Sequence, residues 1–345
     1  MKDEARNFHF LGICGTAMGS VAAALRDRGF KVTGSDESIY PPMSTFLESR
    51  GVPLNCGYRA ENIPHDAEII VIGNAMKRGN PEVEAVLNRK LYYMSLPAVL
   101  RRFFLHGRHN LVVTGTHGKT TTTALLTWLM KSAGFDPSYV IGGIPKNLGQ
   151  GALFNDAKHF VVEGDEYDSA FFDKRSKFIE YLPELLIVNN IEFDHADIFQ
   201  DLEHVKQSFR HLLRIVPQNG MVLLNGDDPN CLAVTDECYA PIEEIGFSPN
   251  CAKQIRDVAY SAEGSRFTIG DETYELPLIG EFNVRNAAMA VTAARFYGAD
   301  VAKIKEALST FKGIARRQEV RGEENGVKVI DDFGHHPTAI AQTLT

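Results

Sequence analysis

Cysteine is scarce in this sequence, and the few cysteines follow no metal-binding pattern. Five occur among 345 residues, with no Cys-x-x-Cys pair among them: Cys14, Cys56, Cys231, Cys238 and Cys251. An odd count without such pairs indicates neither a zinc ribbon nor a disulfide framework. The sequence therefore predicts reduced thiols, as in a cytoplasmic protein.

Long apolar segments and an excess of positive charge are also missing. No apolar run approaches the roughly 20 residues that span a bilayer, and the opening Met-Lys-Asp-Glu-Ala-Arg lacks the apolar core of a signal peptide. We therefore expect no membrane insertion. Lys and Arg number 36 against 44 Asp and Glu, and this net charge of -8 argues against a nucleic-acid partner.

What the sequence does have is a regular alternation of apolar β-rich segments with helical ones. This alternation predicts an α/β fold with mostly parallel sheets covered on both faces. The predicted strands are 8–11, 31–34, 68–72, 160–163, 185–189, 220–224 and 327–330, with a hairpin of 265–269 and 272–276 around Gly270-Asp271. The predicted helices are 18–28, 121–133, 202–216, 283–297 and 301–310.

This order of segments divides the chain into three predicted domains. Residues 1–107 read as a Rossmann-like domain, and residues 108–312 as a central domain that begins with a phosphate loop. Residues 313–345 read as the beginning of a third α/β domain, whose first helix starts near Pro337 and is cut off at Thr345. We therefore expect the chain to be truncated and incomplete for turnover.

A glycine-rich segment stands between a predicted strand and a predicted helix. Its two glycines would let backbone N–H groups face phosphates, Lys119 adds a positive charge, and the Thr120 hydroxyl can ligate magnesium. Only two residues separate Gly115 from Gly118, where the common phosphate loop has four, so the spacing indicates a subfamily. The predicted triphosphate-binding residues are Gly115, Thr116, His117, Gly118, Lys119, Thr120 and Thr121.

A second candidate anion site lies near the start of the chain. The segment Gly12-Ile-Cys-Gly15-Thr-Ala-Met-Gly19 follows a strand and opens a helix, where backbone amides can hold a diphosphate. Asp36, after the next strand, could bind a ribose or a base. A purely structural turn remains the alternative, because the glycine spacing differs from the dinucleotide fingerprint.

Two further strand ends carry chemically useful side chains. Glu163 ends an apolar strand and is our choice for a magnesium ligand, because magnesium prefers carboxylate oxygens. The nearby Asp165, Glu166 and Asp168 suit either this site or a solvated capping loop. His195 follows the strand at 185–189 and could ligate a metal or contact an acyl substrate, although a lone histidine is more often structural.

In this order, the motifs closely resemble those of the Mur ligases of peptidoglycan synthesis over essentially the whole chain. The resemblance includes Asp194-His195, the turn Gly280 to Asn286 and Asp332-Phe-Gly-His-His-Pro337. Four segments look like the branch that attaches a murein tripeptide: Gly12 to Gly19, Tyr40 to Thr45, Gly73 to Pro81 and Ala170 to Phe178. The alternative is the related branch that uses L-alanine. Phe282 stands where the family usually has histidine.

The resemblance implies an ATP-dependent amide ligase that acts on UDP-N-acetylmuramate and the tripeptide L-Ala-γ-D-Glu-meso-diaminopimelate through an acyl phosphate. The implied cofactors are ATP and Mg²⁺, with Thr120, Glu163 and His195 as metal ligands and Lys119, Glu163 and His195 as catalytic residues. Further ATP contacts would come from Asn286, Arg317, Asp332 and His335. Contacts with the UDP substrate would come from Gly12, Gly15, Thr16, Ala17, Met18, Asp36 and Asn74. A nucleotide-binding module without turnover remains the alternative class.

Overall fold

The computed structural model describes residues 7–317, 319–324, 326–332 and 340–341. The chain divides into two compact units, which are Met1–His106 with Tyr167–Glu180, and Gly107–Glu166 with Tyr181–Thr345. The segment 167–180 lies inside the predicted central domain along the chain, yet it folds with the first unit. The predicted helix start near Pro337 falls outside the described residues.

The first unit is built on a five-stranded parallel sheet. Its elements are β1 (Asn7–Leu11), α1 (Thr16–Asp27), β2 (Lys31–Asp36), α2 (Met43–Ser49), β3 (Leu54–Cys56), β4 (Ile69–Ile72), α3 (Pro81–Asn88), β5 (Tyr93–Ser95) and α4 (Leu96–Leu100). The strand order is β3-β2-β1-β4-β5. The order reverses between β1 and β4, and ligands of open α/β sheets bind at the carboxyl ends of strands beside such a reversal.

The second unit contains a ten-stranded sheet. The segment 167–180, which lies between two strands of this sheet along the chain, folds as part of the first unit. The elements from residue 109 are β6 (His109–Thr114), α5 (Lys119–Ala133), β7 (Ser138–Val140), β8 (Ala152–Leu153) and β9 (His159–Glu163). The hairpin β10 (Asp168–Ala170) and β11 (Asp173–Ser176) then belongs to the first unit. The remaining elements are β12 (Leu185–Val188), α6 (Leu202–Leu213), β13 (Met221–Asn225), α7 (Pro229–Leu232), β14 (Ile242–Gly246), β15 (Lys253–Ser261), β16 (Gly264–Ile269), β17 (Glu272–Leu276), α8 (Glu281–Phe296), α9 (Val301–Ser309), β18 (Glu319–Glu324) and β19 (Val327–Asp331).

Parallel pairing in the middle of this sheet places the phosphate loop beside two other strand ends. The order is β17-β16-β15-β14-β13-β12-β6-β9-β7-β8, and β6 pairs in parallel with both β9 and β12. Their carboxyl ends therefore meet at one edge of the sheet. The loop after β6, Glu163 at the end of β9 and the polar residues after β12 all lie at that edge, as the α/β prediction requires.

Helices α5, α8 and α9 pack together over this sheet. Small side chains allow α8 to approach α5 closely, because Ala287, Ala290 and Ala294 are completely buried. Trp128 on α5 donates its indole N–H to the carbonyl of Ala307 on α9 over 2.8 Å. None of the helices in the described part of the chain is long and apolar enough to cross a membrane.

Candidate active site

The phosphate loop joins β6 to α5 through two glycines in the left-handed region. Gly115 has φ +126° and Gly118 has φ +77°, and Gly118 caps α5 without a side-chain hydrogen bond. The first-turn amides of α5 therefore have no side-chain cap, which suits an anion. The N–H of His117 donates to Asn190 Oδ1 over 2.7 Å, so the residues after β12 support the loop.

Lys119 is partly buried beside carboxylates at the first turn of α5. Its Nζ lies 2.7 Å and 3.1 Å from the two carboxylate oxygens of Glu166 and 3.3 Å from the carbonyl of Thr116. Burial works to lower the pKa of Lys119. The surrounding carboxylates, chiefly Glu166 and then Asp165, outweigh burial and hold that pKa above its ordinary value. Lys119 is therefore a charged group held close to the loop.

The side-chain oxygens of Thr120 and Glu163 lie close together at the same edge. Thr120 Oγ1 donates to Glu163 Oε1 over 2.9 Å, and the N–H of Gly142 donates to Glu163 Oε2 over 2.6 Å. Burial raises the pKa of Glu163 above its ordinary value. In an octahedral magnesium site with bonds of about 2.1 Å, neighbouring ligand oxygens lie about 3.0 Å apart. The Thr120 and Glu163 oxygens thus match one edge of such a site.

His195 lies beside Glu166. Its Nε2 is 3.2 Å from Glu166 Oε1 and 3.6 Å from Asp194 Oδ2. Burial favours the neutral imidazole, but Glu166 and then Asp194 outweigh it and raise the pKa of His195. Ligand atoms of Asp165, Glu166 and His195 lie within 4.8 Å of one another, close enough to share a metal ion. Glu166 therefore contacts both Lys119 and His195, whereas the sequence left it between a site role and a capping role.

The predicted adenine and ribose contacts lie at two places. Asn286, in the first part of α8, is buried against the phosphate loop, because a Cβ at Gly118 would lie 2.5 Å from Asn286 Oδ1. Arg317 precedes β18 and Asp332 follows β19, and the antiparallel pair Glu319–Asp331 brings the two ends of this hairpin together. Arg317 and Asp332 therefore lie near each other. The fourth predicted contact, His335, lies outside the described residues.

In the first unit, the glycine turn follows β1 and is anchored to β2. Gly12 has φ +82°, and its N–H donates to the carbonyl of Ser35 over 2.8 Å. The N–H of Cys14 donates to Asp36 Oδ2 over 2.8 Å. Gly15 caps α1 without a side-chain hydrogen bond, which leaves the amides of Thr16, Ala17 and Met18 without a side-chain cap. Asn74 follows β4, on the other side of β1 from Asp36.

The basic residues of the β10–β11 hairpin are paired with acids. Lys174 Nζ contacts Asp168 Oδ2, and Arg175 contacts both Asp173 and Glu180. Because the hairpin supplies its own counter-charges, Lys174 and Arg175 add little net positive charge to the surface. These pairs depend on the hairpin turn, which the sequence pattern does not predict.

Comparisons with known proteins agree with this arrangement. The family model described as "Mur ligase family, catalytic domain" matches residues 7–108, and "Mur ligase middle domain" matches residues 113–294. A relative from Escherichia coli (strain K12), named UDP-N-acetylmuramate--L-alanyl-gamma-D-glutamyl-meso-2,6-diaminoheptandioate ligase, is 47% identical over 340 residues. That match covers 97% of this chain and 74% of the relative.

A solved structure and a second relative complete the comparison. The ligase of the same activity from Neisseria meningitides is 39% identical with a TM-score of 0.84, covering 90% of this chain and 100% of that chain. A UDP-N-acetylmuramate--L-alanine ligase from Acetivibrio thermocellus is 33% identical over 349 residues, covering 99% of this chain and 72% of the relative. Similarity is thus greater to relatives named for the tripeptide than to this relative named for L-alanine.

Proposed function

The chain belongs to the Mur ligase family, and we propose that it joins UDP-N-acetylmuramate to the murein tripeptide L-Ala-γ-D-Glu-meso-diaminopimelate with hydrolysis of ATP. The observation that carries this proposal is the 47% identity to the tripeptide ligase over 97% of the chain. The phosphate loop with Lys119, Thr120 and Glu163 supports the ATP-dependent part of the reaction.

Activation of the carboxylate comes first. An oxygen of the muramoyl carboxylate attacks the terminal phosphorus of ATP, the bond to ADP breaks, and an acyl phosphate forms. Negative charge spreads over the transferred group, and the amides at the start of α5 together with Lys119 are placed to stabilise it. Lys119 would exchange its contact with Glu166 for one with phosphate. Magnesium, held by Thr120 and Glu163 with a second ion at His195, would supply further charge neutralisation.

Amide formation follows. The free amine of the tripeptide's L-alanine attacks the acyl carbon, a tetrahedral intermediate forms, and it collapses with loss of phosphate and of the amine's proton. Glu166 contacts Lys119, and His195 Nε2 lies 3.2 Å from Glu166 Oε1. His195 would offset negative charge on the tetrahedral intermediate, and Glu166 would offset positive charge on the attacking amine.

The sequence predicts little turnover by this chain, so the test is whether it releases any ADP with purified substrates and which substrates that release requires. We expect ADP release to require both UDP-N-acetylmuramate and tripeptide, and L-alanine to replace the tripeptide poorly. When the muramoyl carboxylate carries ¹⁸O, one labelled oxygen should appear in the released phosphate, because that oxygen bridges carbon and phosphorus in the acyl phosphate.

Three results would overturn the proposal. The first is ADP release at equal rates without UDP-N-acetylmuramate, which would indicate an unrelated ATPase. The second is a preference for L-alanine over tripeptide, which would assign the chain to the other branch. The third is unlabelled phosphate, which would exclude an acyl phosphate. A Lys119→Ala variant serves as the control for contaminating ATPase activity.

A further inference from the structure

The hairpin β10–β11 packs on the first unit at the loop that follows β4. Phe171, in the hairpin turn, packs against the apolar cluster that includes Leu11 and Met76. Its neighbour Phe172 contacts Tyr93 edge to face, with ring centroids 4.8 Å apart. At the end of the inserted segment, Glu180 accepts from Arg101 over 3.0 Å. The segment is therefore fixed to the first unit at several points.

Asp168, the first residue of this hairpin, contacts Asn74. In the amide orientation that satisfies its hydrogen bonds, Asn74 Nδ2 lies 3.2 Å from Asp168 Oδ1 and 3.3 Å from the carbonyl oxygen of Asp168. Asp168 is only 8% exposed, and its second carboxylate oxygen pairs with Lys174. Asp168 is thus a buried acceptor whose position is fixed from both sides.

This contact determines what Asn74 can offer to a ligand. An asparagine amide has two N–H donors and one oxygen acceptor. Two acceptors of Asp168 face Asn74 Nδ2, so both donors are engaged, and the oxygen with its two lone pairs is the amide atom that can interact with a ligand. Phosphate oxygens only accept hydrogen bonds. Asn74 therefore suits a ligand group that donates, such as a sugar hydroxyl or an acetamido N–H, and does not suit the diphosphate.

The strand order indicates which part of the substrate lies at Asn74. Asp36 ends β2, the Gly12 turn follows β1, and Asn74 follows β4, and these three strands are consecutive neighbours in the sheet. If the ribose is on the Asp36 side and the diphosphate at the Gly12 turn, the amino sugar extends toward Asn74. Asn74 is exposed, as a residue that contacts a ligand must be.

We infer that Asp168 is a positioning residue that turns the Asn74 amide oxygen toward the N-acetylmuramoyl sugar, so that the inserted hairpin sets specificity for the sugar in the first unit. The inference rests on the proposed function, because it assumes that UDP-N-acetylmuramate binds at this sheet edge. The segment Ala170 to Phe178 resembles one branch of the family. Under this inference, that segment helps to hold the ligand-binding edge of the first unit's sheet in place.

Calorimetric titration of the full chain with UDP-N-acetylmuramate and, separately, with UDP tests this inference. Asn74→Ala and Asp168→Ala should each weaken binding of UDP-N-acetylmuramate by about 10-fold, the effect of one hydrogen bond, and leave UDP binding unchanged. The double variant should be no weaker than either single variant, because the two residues act as one unit. Asp168→Asn should retain most of the affinity, because its amide oxygen and backbone carbonyl still accept.

The control is Asp173→Ala, which removes another hairpin carboxylate that pairs with Arg175 and not with Asn74. Unchanged binding of UDP-N-acetylmuramate by Asn74→Ala, additive losses in the double variant, or an equal loss for UDP would each overturn the inference while leaving the proposed function intact. A wild-type chain that binds neither ligand would overturn the proposed function and this inference together. Melting temperatures of all variants identify any variant that fails to fold. If Asp168→Ala is such a variant, the affinity of Asp168→Asn for UDP-N-acetylmuramate tests the inference.

Discussion

The side-chain oxygen of Asn286 fills the space beside Gly118 that any larger residue would need. A Cβ built on Gly118 would lie 2.5 Å from Asn286 Oδ1 and 3.1 Å from Asn189 Nδ2. The loop glycine and the helix α8 are therefore matched to each other. Both the shape of the loop and the position of Asn286 depend on the absence of a side chain at residue 118.

Gly118→Ala should disable the phosphate loop. The substitution adds a clash with Asn286 and strains a residue at φ +77°. Displacement of the loop by about 1 Å is expected to lower kcat for ADP release about 100-fold. Gly134→Ala is the matched control, because Gly134 has φ +97° and nothing within 4 Å of its Cβ position. That control should lose about 1 kcal/mol of stability and keep its activity. Equal activities of Gly118→Ala and Gly134→Ala would contradict the prediction.

Glu163→Gln should weaken the response to magnesium. The variant keeps the shape of the side chain and removes the charge that magnesium prefers. We expect kcat to fall about 100-fold and half-saturation to require more Mg²⁺, as measured by ADP release over a magnesium titration. Glu243→Gln on β14, where the carboxylate pairs with Lys253, is the control and should match the wild type. A magnesium titration identical to the wild type would remove Glu163 from the metal site.

Cys14 should resist alkylation at neutral pH even though it lies in the glycine turn that follows β1. Burial, with contributions from Asp36 and Cys56, raises the pKa of the Cys14 thiol to about 11. Roughly one molecule in a thousand then carries the reactive thiolate near pH 8. After a short iodoacetamide pulse, peptide mass spectrometry should find label on the exposed Cys56 first. The rate at Cys14 should rise about tenfold per pH unit toward its pKa. Preferential labelling of Cys14 near pH 8 would be inconsistent with this environment.

His159 should make the protein less stable in mild acid. Burial and the nearby His109 lower the pKa of His159 below its ordinary value. The unfolded chain then binds the proton more readily than the folded chain, so stability is complete above about pH 6.5 and falls as the pH drops below it. Urea midpoints at about pH 5.5 and pH 7.5 measure the effect. His159→Gln should reduce this pH dependence, whereas the exposed His65→Gln should not.

The sequence was sufficient to locate the second unit's main elements, because their signals are local. The predicted helices 121–133 and 301–310 correspond to α5 (Lys119–Ala133) and α9 (Val301–Ser309), and the hairpin around Gly270-Asp271 forms as β16 and β17. Each of these elements is marked by a periodic pattern of apolar residues that is bounded by glycine or a capping residue. The α/β class followed from the alternation of these signals.

Elements with short or polar sequences could not be predicted. The hairpin β10–β11 has strands of three and four residues, and the letters Asp173-Lys-Arg-Ser176 carry no apolar alternation. What fixes this hairpin is tertiary contact with residues such as Asn74, about a hundred positions away along the chain. Glu166 was ambiguous for the same reason, since its partners Lys119 and His195 are distant in sequence.

Trp128 is the single tryptophan of the chain, and it lies on the helix that starts at the phosphate loop. Its indole N–H is bonded to α9. Intrinsic fluorescence excited at the indole band therefore comes from one known position, with no engineered label. Titration of nucleotide against that emission reports directly on the surroundings of α5, and so provides an optical readout for every variant of the loop.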